Sequence, residues 1–290
     1  MDINKVFVVG AGTMGNGIAQ VCAQTGISVV MSDMSQDLLD KALKNITWSV
    51  SKFSEKGKIS EDVDTVMDRI QTSSDYQAAA DADLIIEAVF EKLAIKHEVF
   101  KKLDSVAGDK TIMASNTSAI PITEIASAVS RPENFVGLHF FNPVPMMAAV
   151  EVIRGISTSD ETFQYGADFV RFIGKEPIMV NTDIAGFILN RINMVSNMEA
   201  MRLVEQGVAT PEDIDKGMRL AFGRKMGPFE TGDLVGLEVS LMAYTNVYEE
   251  EKDLRFYPPS IMRRKVLAGH LGRKTGKGWY DYNPDGSRKK

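Results

Sequence analysis

The sequence predicts a two-domain α/β protein, in which a doubly wound, mostly parallel sheet is followed by an all-α C-terminal domain. Short apolar runs alternate with helical periodicity up to about residue 180, as in a parallel sheet covered by helices on both faces. Beyond residue 184 no convincing strand recurs, and helical patterns rich in Met, Leu and Ile take over. The 290 residues also exceed the usual single domain of about 100–200 residues. We therefore predict domains at residues 1–184 and 185–290.

The first domain opens with a glycine-rich loop between a strand and a helix. Residues 6–9 are an apolar strand that runs into GAGTMG at residues 10–15, and a helical pattern follows. In a G-x-G-x-x-G loop of this kind, Gly10 permits the tight turn, Gly12 lets the backbone approach a pyrophosphate, and Gly15 lets the helix pack closely. The helix start offers N–H groups to a phosphate. The pattern predicts a Rossmann-type dinucleotide-binding domain, whose loop contacts are Gly10, Gly12, Thr13, Met14 and Gly15.

An acidic residue follows the second predicted strand, residues 27–31. Asp33 lies where a carboxylate accepts hydrogen bonds from an adenosine ribose, and its charge would repel a 2′-phosphate. No arginine follows it before Arg69. The pattern therefore favours NAD over NADP, and FAD, which uses a similar loop, stays open as an alternative.

Composition limits the partners and the compartment. The chain is 44% hydrophobic and 25% charged, as in ordinary globular proteins. Its net charge of −6 argues against nucleic acid as a general partner. The single cysteine, Cys22, suits a reducing compartment, and neither a signal peptide nor an apolar run of about 18 residues is evident. We predict a cytoplasmic protein without a membrane partner, and the methionine-rich helices of the second domain indicate a homodimer.

The candidates for acid–base chemistry are three histidines. His97 lies in a charged helical pattern and His270 near a basic tail, whereas His139 ends a predicted strand on the cofactor side. An unperturbed imidazole has a pKa of about 6.5, so near neutral pH it can take up a proton and return it. Glu151, on the next predicted strand, can fix the imidazole tautomer. The alternative is a buried His–Glu pair with a structural role only. No metal-binding motif accompanies them.

Two polar patterns fit either a ligand site or an ordinary structural role. A predicted strand at residues 111–114 ends in SNTS at residues 115–118, which fits either a ligand loop or a simple turn. Ser49, Lys52 and Lys56 are spaced i, i+3, i+7 and share one helix face. By itself this spacing indicates a solvated face, and it becomes attractive as an anion site only for a ligand that carries phosphates.

Five segments in order carry a resemblance to a known family. They are GAGTMG at residues 10–15, SNTS at 115–118, GLHFFNPVP at 137–145, GFILNR at 186–191 and MGPFE at 226–230. With them the chain resembles the L-3-hydroxyacyl-CoA dehydrogenase family, and within it the bacterial 3-hydroxybutyryl-CoA members. The resemblance covers essentially the whole chain. It implies NAD-dependent interconversion of acetoacetyl-CoA and (S)-3-hydroxybutyryl-CoA, in fatty acid or butyrate metabolism.

The resemblance also implies roles for individual residues. The implied catalytic residues are His139, Glu151, Ser118 and Asn190. The implied NAD contacts outside the glycine loop are Asp33, Glu91, Lys96, Ser118, Asn142 and Lys274. The implied substrate contacts are Ser49, Lys52, Lys56, Ser118 and Asn190, where CoA would supply the phosphates. The helical C-terminal domain would bind substrate and form the homodimer.

Two alternative functions remain open from sequence. A free hydroxy-acid dehydrogenase of the gulonate type would share the His–Glu pair and would turn over free acids. A non-catalytic NAD-binding or structural protein would need neither member of the pair. The intact set of Ser118, His139, Glu151 and Asn190 argues against that second alternative.

Overall fold

Eight strands form a single sheet in the N-terminal part of the chain, as seen in a computed structural model that describes residues 3–289. The strands are β1 (Lys5–Val9), β2 (Ser28–Ser32), β3 (Ile70–Ser73), β4 (Leu84–Glu87), β5 (Ile112–Ser115), β6 (Phe135–Phe140), β7 (Ala149–Ile153) and β8 (Glu176–Val180). Their order across the sheet is β3-β2-β1-β4-β5-β6-β7-β8. Every neighbouring pair is parallel except β6 and β7, which are antiparallel. The predicted doubly wound, mostly parallel sheet is confirmed.

Six α-helices accompany the sheet in this part of the described chain. They are α1 (Thr13–Gln24), α2 (Gln36–Glu55), α3 (Val63–Met67), α4 (Leu93–Asp104), α5 (Ile122–Ala126) and α6 (Asp160–Phe172). The longest, α2, begins because the Ser35 hydroxyl accepts a hydrogen bond from the Leu38 N–H at 3.3 Å. Its buried side chains recur at helical spacing, as expected for a helix with one face on the core. Contacts divide the chain into two compact units, with the boundary between Ile184 and Ala185.

The second unit is helical, as predicted. Its helices are α7 (Leu189–Glu205), α8 (Pro211–Phe222), α9 (Pro228–Val235), α10 (Leu237–Glu251) and α11 (Ser260–Leu267). The segment TPED at residues 210–213 predicts a helix start with Thr210 as its N-cap. This is confirmed, since the Thr210 hydroxyl accepts a hydrogen bond from the Asp213 N–H at 3.1 Å. The helical pattern of residues 233–250 predicts one continuous helix, and this prediction is wrong. Gly236 has φ +106° and separates α9 from α10, because that backbone conformation cannot continue a helix.

A buried carboxylate clamps the start of α9. The Asp215 side chain accepts hydrogen bonds from the Phe229 and Glu230 N–H groups, both at 2.9 Å, and from the Tyr280 hydroxyl at 2.7 Å. A Cβ atom on Gly227 would lie 2.1 Å from Asp215 Oδ1. The glycine of the MGPFE segment is therefore required by the close approach of this carboxylate.

We expect Gly227→Ala to destabilise the second unit by roughly 2–4 kcal/mol, because the new methyl group would displace a buried, hydrogen-bonded carboxylate. The matched control is Gly217→Ala within α8, where an added Cβ meets nothing within 4 Å. That change should stabilise the helix by about 0.5–1 kcal/mol. Thermal and denaturant unfolding of both variants measure the two effects. Equal unfolding midpoints for the two variants would contradict the proposed need for glycine at position 227.

Candidate active site

The glycine loop forms a close-packed cradle at the carboxyl end of β1. Gly10 has φ +102°, and a Cβ atom there would lie 2.6 Å from the Ala88 carbonyl oxygen. A Cβ atom on Gly15 would lie 1.7 Å from the Gly10 carbonyl oxygen. Gly12 is exposed and has open space around its Cβ position. The loop is therefore tight where it folds and open on the side where a pyrophosphate binds.

The start of α1 presents backbone donors beside this cradle. Gly12 is the N-cap and supplies no side chain to the first turn. Thr13 is exposed and Met14 is half-buried in that turn. Because the first N–H groups of a helix lack intrahelical partners, this end of α1 suits an anion.

Asp33 has a second function that the sequence pattern did not predict. Its Oδ2 accepts a hydrogen bond from the Ala11 N–H at 2.9 Å, and its Oδ1 accepts one from the Ser35 N–H at 3.1 Å. The carboxylate therefore holds the glycine loop in place through hydrogen bonds, in addition to its predicted position for binding a ribose. The residues present fit a bound NAD, both in the cradle and at the acidic strand end.

His139 and Glu151 face each other across the antiparallel pair β6–β7. The two residues are directly opposite in the strand register. His139 Nδ1 lies 2.7 Å from Glu151 Oε2, and both side chains are buried. The His139 ring also lies against Phe141, with ring centroids 4.5 Å apart. A carboxylate on Nδ1 fixes the tautomer in which Nδ1 carries hydrogen and Nε2 is the acceptor nitrogen.

Two polar side chains fix the backbone around His139, and sequence reasoning missed both. Asn116 Oδ1 accepts a hydrogen bond from the Phe140 N–H at 2.9 Å, which ties the end of β5 to β6. Lys175 Nζ donates to the carbonyl oxygens of Val144 at 2.7 Å and Met147 at 2.6 Å. Burial lowers the pKa of Lys175 below its usual range. The position of Asn116 in the SNTS loop was the available signal, whereas Lys175 lies in a strand connection without a motif.

Asn142, predicted as an NAD contact, lies just beyond β6. Its side chain is exposed, and its peptide bond to Pro143 is cis. The residue lies at the carboxyl end of the strand that carries His139.

Ser118 and Glu91 are brought together by the structure. Glu91 Oε1 accepts hydrogen bonds from the Ser118 N–H at 2.7 Å and from the Ser118 hydroxyl at 3.2 Å. Glu91 follows β4 and Ser118 follows β5. Because these neighbouring strands are parallel, the two residues meet at the carboxyl ends of the strands. Lys96, whose contact with NAD stays a prediction, is buried between Glu87 and Glu91.

The proposed CoA face lies on α2. Ser49 is half-buried on this helix, and the exposed Lys56 caps its C-terminal end. Lys52 Nζ already pairs with Glu55 Oε2 at 2.7 Å. Among the described residues, no ion pair of this kind is seen for Lys56. Lys56 is therefore the better candidate of the two lysines for a phosphate contact.

The remaining predicted residues lie in the second unit. Asn190 is in the first turn of α7. Lys274 is exposed and forms an ion pair with Glu238. Within residues 3–289 no group of three His, Cys, Asp or Glu side chains has the arrangement of a metal site. Within the same range no helix is long and apolar enough to cross a membrane.

Comparison with known families accounts for both units. The family model described as 3-hydroxyacyl-CoA dehydrogenase, NAD binding domain, matches residues 5–184, and the model of the C-terminal domain matches residues 186–282. The chain belongs to the 3-hydroxyacyl-CoA dehydrogenase family. The predicted family, the enzyme class and the NAD cofactor are thereby confirmed.

Individual relatives agree with this membership. The enzyme is 45% identical over 278 residues to the probable 3-hydroxybutyryl-CoA dehydrogenase of Deinococcus radiodurans, covering 96% of this chain and 100% of that one. It is 43% identical to human mitochondrial hydroxyacyl-coenzyme A dehydrogenase, covering 97% and 91% of the two chains. The crystal structure of (S)-3-hydroxybutyryl-CoA dehydrogenase from Ralstonia eutropha superposes with a TM-score of 0.93 at 42% identity, covering 97% and 100%.

Proposed function

We propose that the enzyme interconverts acetoacetyl-CoA and (S)-3-hydroxybutyryl-CoA, with His139 as the general acid and base. The single observation that carries this proposal is the buried His139 Nδ1–Glu151 Oε2 contact of 2.7 Å, on the strand pair beside the dinucleotide fold. A nicotinamide supplies the hydride acceptor or donor when it is bound. The protein then has to move one proton at the substrate oxygen on C3.

The His–Glu geometry supports His139 Nε2 as the atom that carries this proton. In the oxidation direction Nε2 takes the hydroxyl proton while the hydride leaves C3. In the reduction direction the imidazolium returns the proton to the ketone oxygen. Glu151, bonded at Nδ1, stabilises the imidazolium form and keeps the ring oriented. Ser118, which follows β5, is proposed to contact both substrate and cofactor.

Other contacts of the proposed site rest on the sequence resemblance. We propose Ser49, Lys52 and Lys56 as contacts of the CoA moiety, where the lysines would meet phosphates. We propose Asn190 as a substrate contact and Lys274 as a cofactor contact, both supplied by the second unit.

We further propose a homodimer formed through the second unit. Large apolar side chains are exposed on its helices, including Ile192, Leu220, Phe222, Leu234 and Met242. Exposed apolar surface of this kind is typical of protein interfaces. Light scattering that gives twice the mass of the 31.9 kDa chain would support the dimer, and a monomer mass would contradict it. We also propose a cytoplasmic location, in keeping with a sequence that contains one cysteine.

The experiment that tests the function is NADH oxidation with acetoacetyl-CoA against free acetoacetate, repeated with NADPH. Fast turnover of the thioester with NADH is expected. Turnover of free acetoacetate alone would favour the free-acid dehydrogenase. Binding of NADH without turnover of either substrate would favour a non-catalytic protein.

We expect Lys56→Ala to raise the KM for acetoacetyl-CoA by roughly five-fold, because one charge–phosphate contact is lost at an exposed site. The KM for NADH should not change, and the effect should shrink with added salt. The control is Lys110→Ala, since Lys110 is exposed in the loop before β5 and has no part in the proposed site. An equal change in the KM for acetoacetyl-CoA and the KM for NADH would indicate that Lys56 lies on a solvated helix face and does not bind CoA.

A further inference from the structure

A buried cation links two carboxylates at the carboxyl ends of β4 and β5. Lys96 Nζ lies 2.8 and 3.0 Å from the two carboxylate oxygens of Glu87, and 3.2 Å from Glu91 Oε2. The Lys96 side chain is 1% exposed and that of Glu87 is 0% exposed. Because a single ammonium serves two carboxylates, these three residues carry a net charge of −1.

Glu91 is the member of this cluster that reaches the surface. Its side chain is 30% exposed, whereas those of its two partners are buried. Its Oε1 accepts hydrogen bonds from the Thr117 hydroxyl at 2.6 Å and from the Ser118 and Ala119 N–H groups at 2.7 and 3.1 Å. Every one of these contacts requires an acceptor, and Oε2 faces an ammonium. The contacts therefore favour the ionised carboxylate.

The ionisation of Glu91 is decided by opposing effects. Burial acts to raise the pKa of the carboxyl group, but the Lys96 ammonium and the donors from Thr117 and Ser118 outweigh it. The pKa of Glu91 is consequently below its usual range. A fixed negative charge thus stands at this strand end at neutral pH.

The topology of the sheet places this charge on one half of the cofactor site. The chain runs outward from β1 to β2 and β3, then crosses to β4, β5 and β6. In a doubly wound sheet the dinucleotide lies across the crossing point, with one mononucleotide half over each set of strands. Asp33, at the end of β2, belongs to the adenosine half. Glu91 and Ser118, after β4 and β5, belong to the nicotinamide half.

We propose that the Glu91 carboxylate raises the affinity of the enzyme for the oxidised nicotinamide relative to the reduced one. The two cofactor forms share the adenosine and the pyrophosphate, and they differ in that the oxidised ring is cationic and the reduced ring neutral. A fixed anion beside the ring therefore acts on the difference between them. The proposal rests on the function proposed above, for which it has a consequence. Because the charge strengthens the binding of NAD⁺ relative to that of NADH, it makes bound NADH a stronger hydride donor and shifts the equilibrium on the enzyme toward the hydroxyacyl thioester.

The test measures the dissociation constants of NAD⁺ and NADH by calorimetry and fluorescence titration, with no thioester present. Glu91→Gln removes the charge and keeps an acceptor for the residue 117–119 turn. It should raise the Kd of NAD⁺ about ten-fold and that of NADH less than about two-fold, as expected for one lost charge pair in a partly exposed site. Since no thioester is used, a failure of acetoacetyl-CoA turnover leaves this result interpretable.

Two further variants separate charge from positioning. Glu91→Asp keeps the charge but shortens the side chain, so it should weaken both cofactor forms by a similar factor and preserve their ratio. Asp33→Asn acts on the shared adenosine half and should also leave the ratio unchanged. If Glu91→Gln weakens both forms equally, or if Glu91→Asp changes the ratio, Glu91 serves only to position the turn and the proposal is overturned.

Discussion

Replacing His139 by glutamine should lower kcat by about 10³-fold or more, because proton transfer by a positioned imidazole contributes roughly 10²–10⁴-fold to a reaction of this kind. Glutamine is close in size to histidine and can still hydrogen-bond to Glu151, so the buried strand pair should keep its fold. The binding of NADH should change little, since the cofactor cradle lies on β1 and α1. Steady-state kinetics and a separate NADH titration measure the two effects.

The matched control for this variant is His270→Gln. His270 lies beyond α11 in the second unit and is given no part in the proposed chemistry. Its kcat should stay within about two-fold of wild type, because the half-buried His270 takes no part in the proposed proton transfer. Turnover of His139→Gln above about a tenth of the wild-type rate would contradict the assignment of His139 as the proton carrier.

Glu151→Gln should lower kcat by about 10²–10³-fold while preserving the fold, since the carboxylate that orients the imidazole and stabilises its charged form is replaced by a neutral amide. The amide is nearly the same size, so packing around β7 is maintained. The pH–rate profile should also differ from that of the wild type, because a neutral amide replaces the carboxylate beside the group that transfers the proton. Rates measured from pH 5 to 9 on wild type and variant test both expectations.

Glu176→Gln provides the comparison for a carboxylate on the adjacent strand. Glu176 is exposed at the start of β8, where its partner on β7 is Ala149. Removing that charge should change neither the rate nor the profile. A Glu151→Gln enzyme whose pH–rate profile matches wild type would show that Glu151 has only a structural role.

Much of the fold was predictable because its signals are local. Strand and helix periodicity predicted the α/β unit and the helical second unit, and the family resemblance extended along both. The edge strand β3 went unpredicted, since only Ile70 is buried in it and no apolar run or alternation marks it. The break between α9 and α10 was also missed, because an isolated glycine signals a helix end only when its φ is known.

Some residues of the candidate site could be recognised from nearby sequence, whereas the contacts of others depend on segments far away in the chain. Candidates such as His139 could be selected because a strand end, an imidazole and a following acidic strand are visible in the sequence. The burial of Lys96 could not be predicted, since it depends on Glu87 and on the packing of α4 against the sheet. Asn116 and Lys175 hydrogen-bond to backbone atoms 24 to 31 residues away, and no spacing rule predicts such contacts.

The dinucleotide loop and the choice of NAD could be predicted from residue order alone, because the turn, the helix start and Asp33 lie within one contiguous stretch whose geometry follows from residue type. The antiparallel pairing of β6 with β7, with His139 opposite Glu151, became known only from the three-dimensional structure. The burial of Lys96 between two carboxylates, which leaves a negative charge on Glu91, likewise became known only from that structure. Strand direction, register and burial depend on pairing between distant segments, and local sequence does not encode them separately.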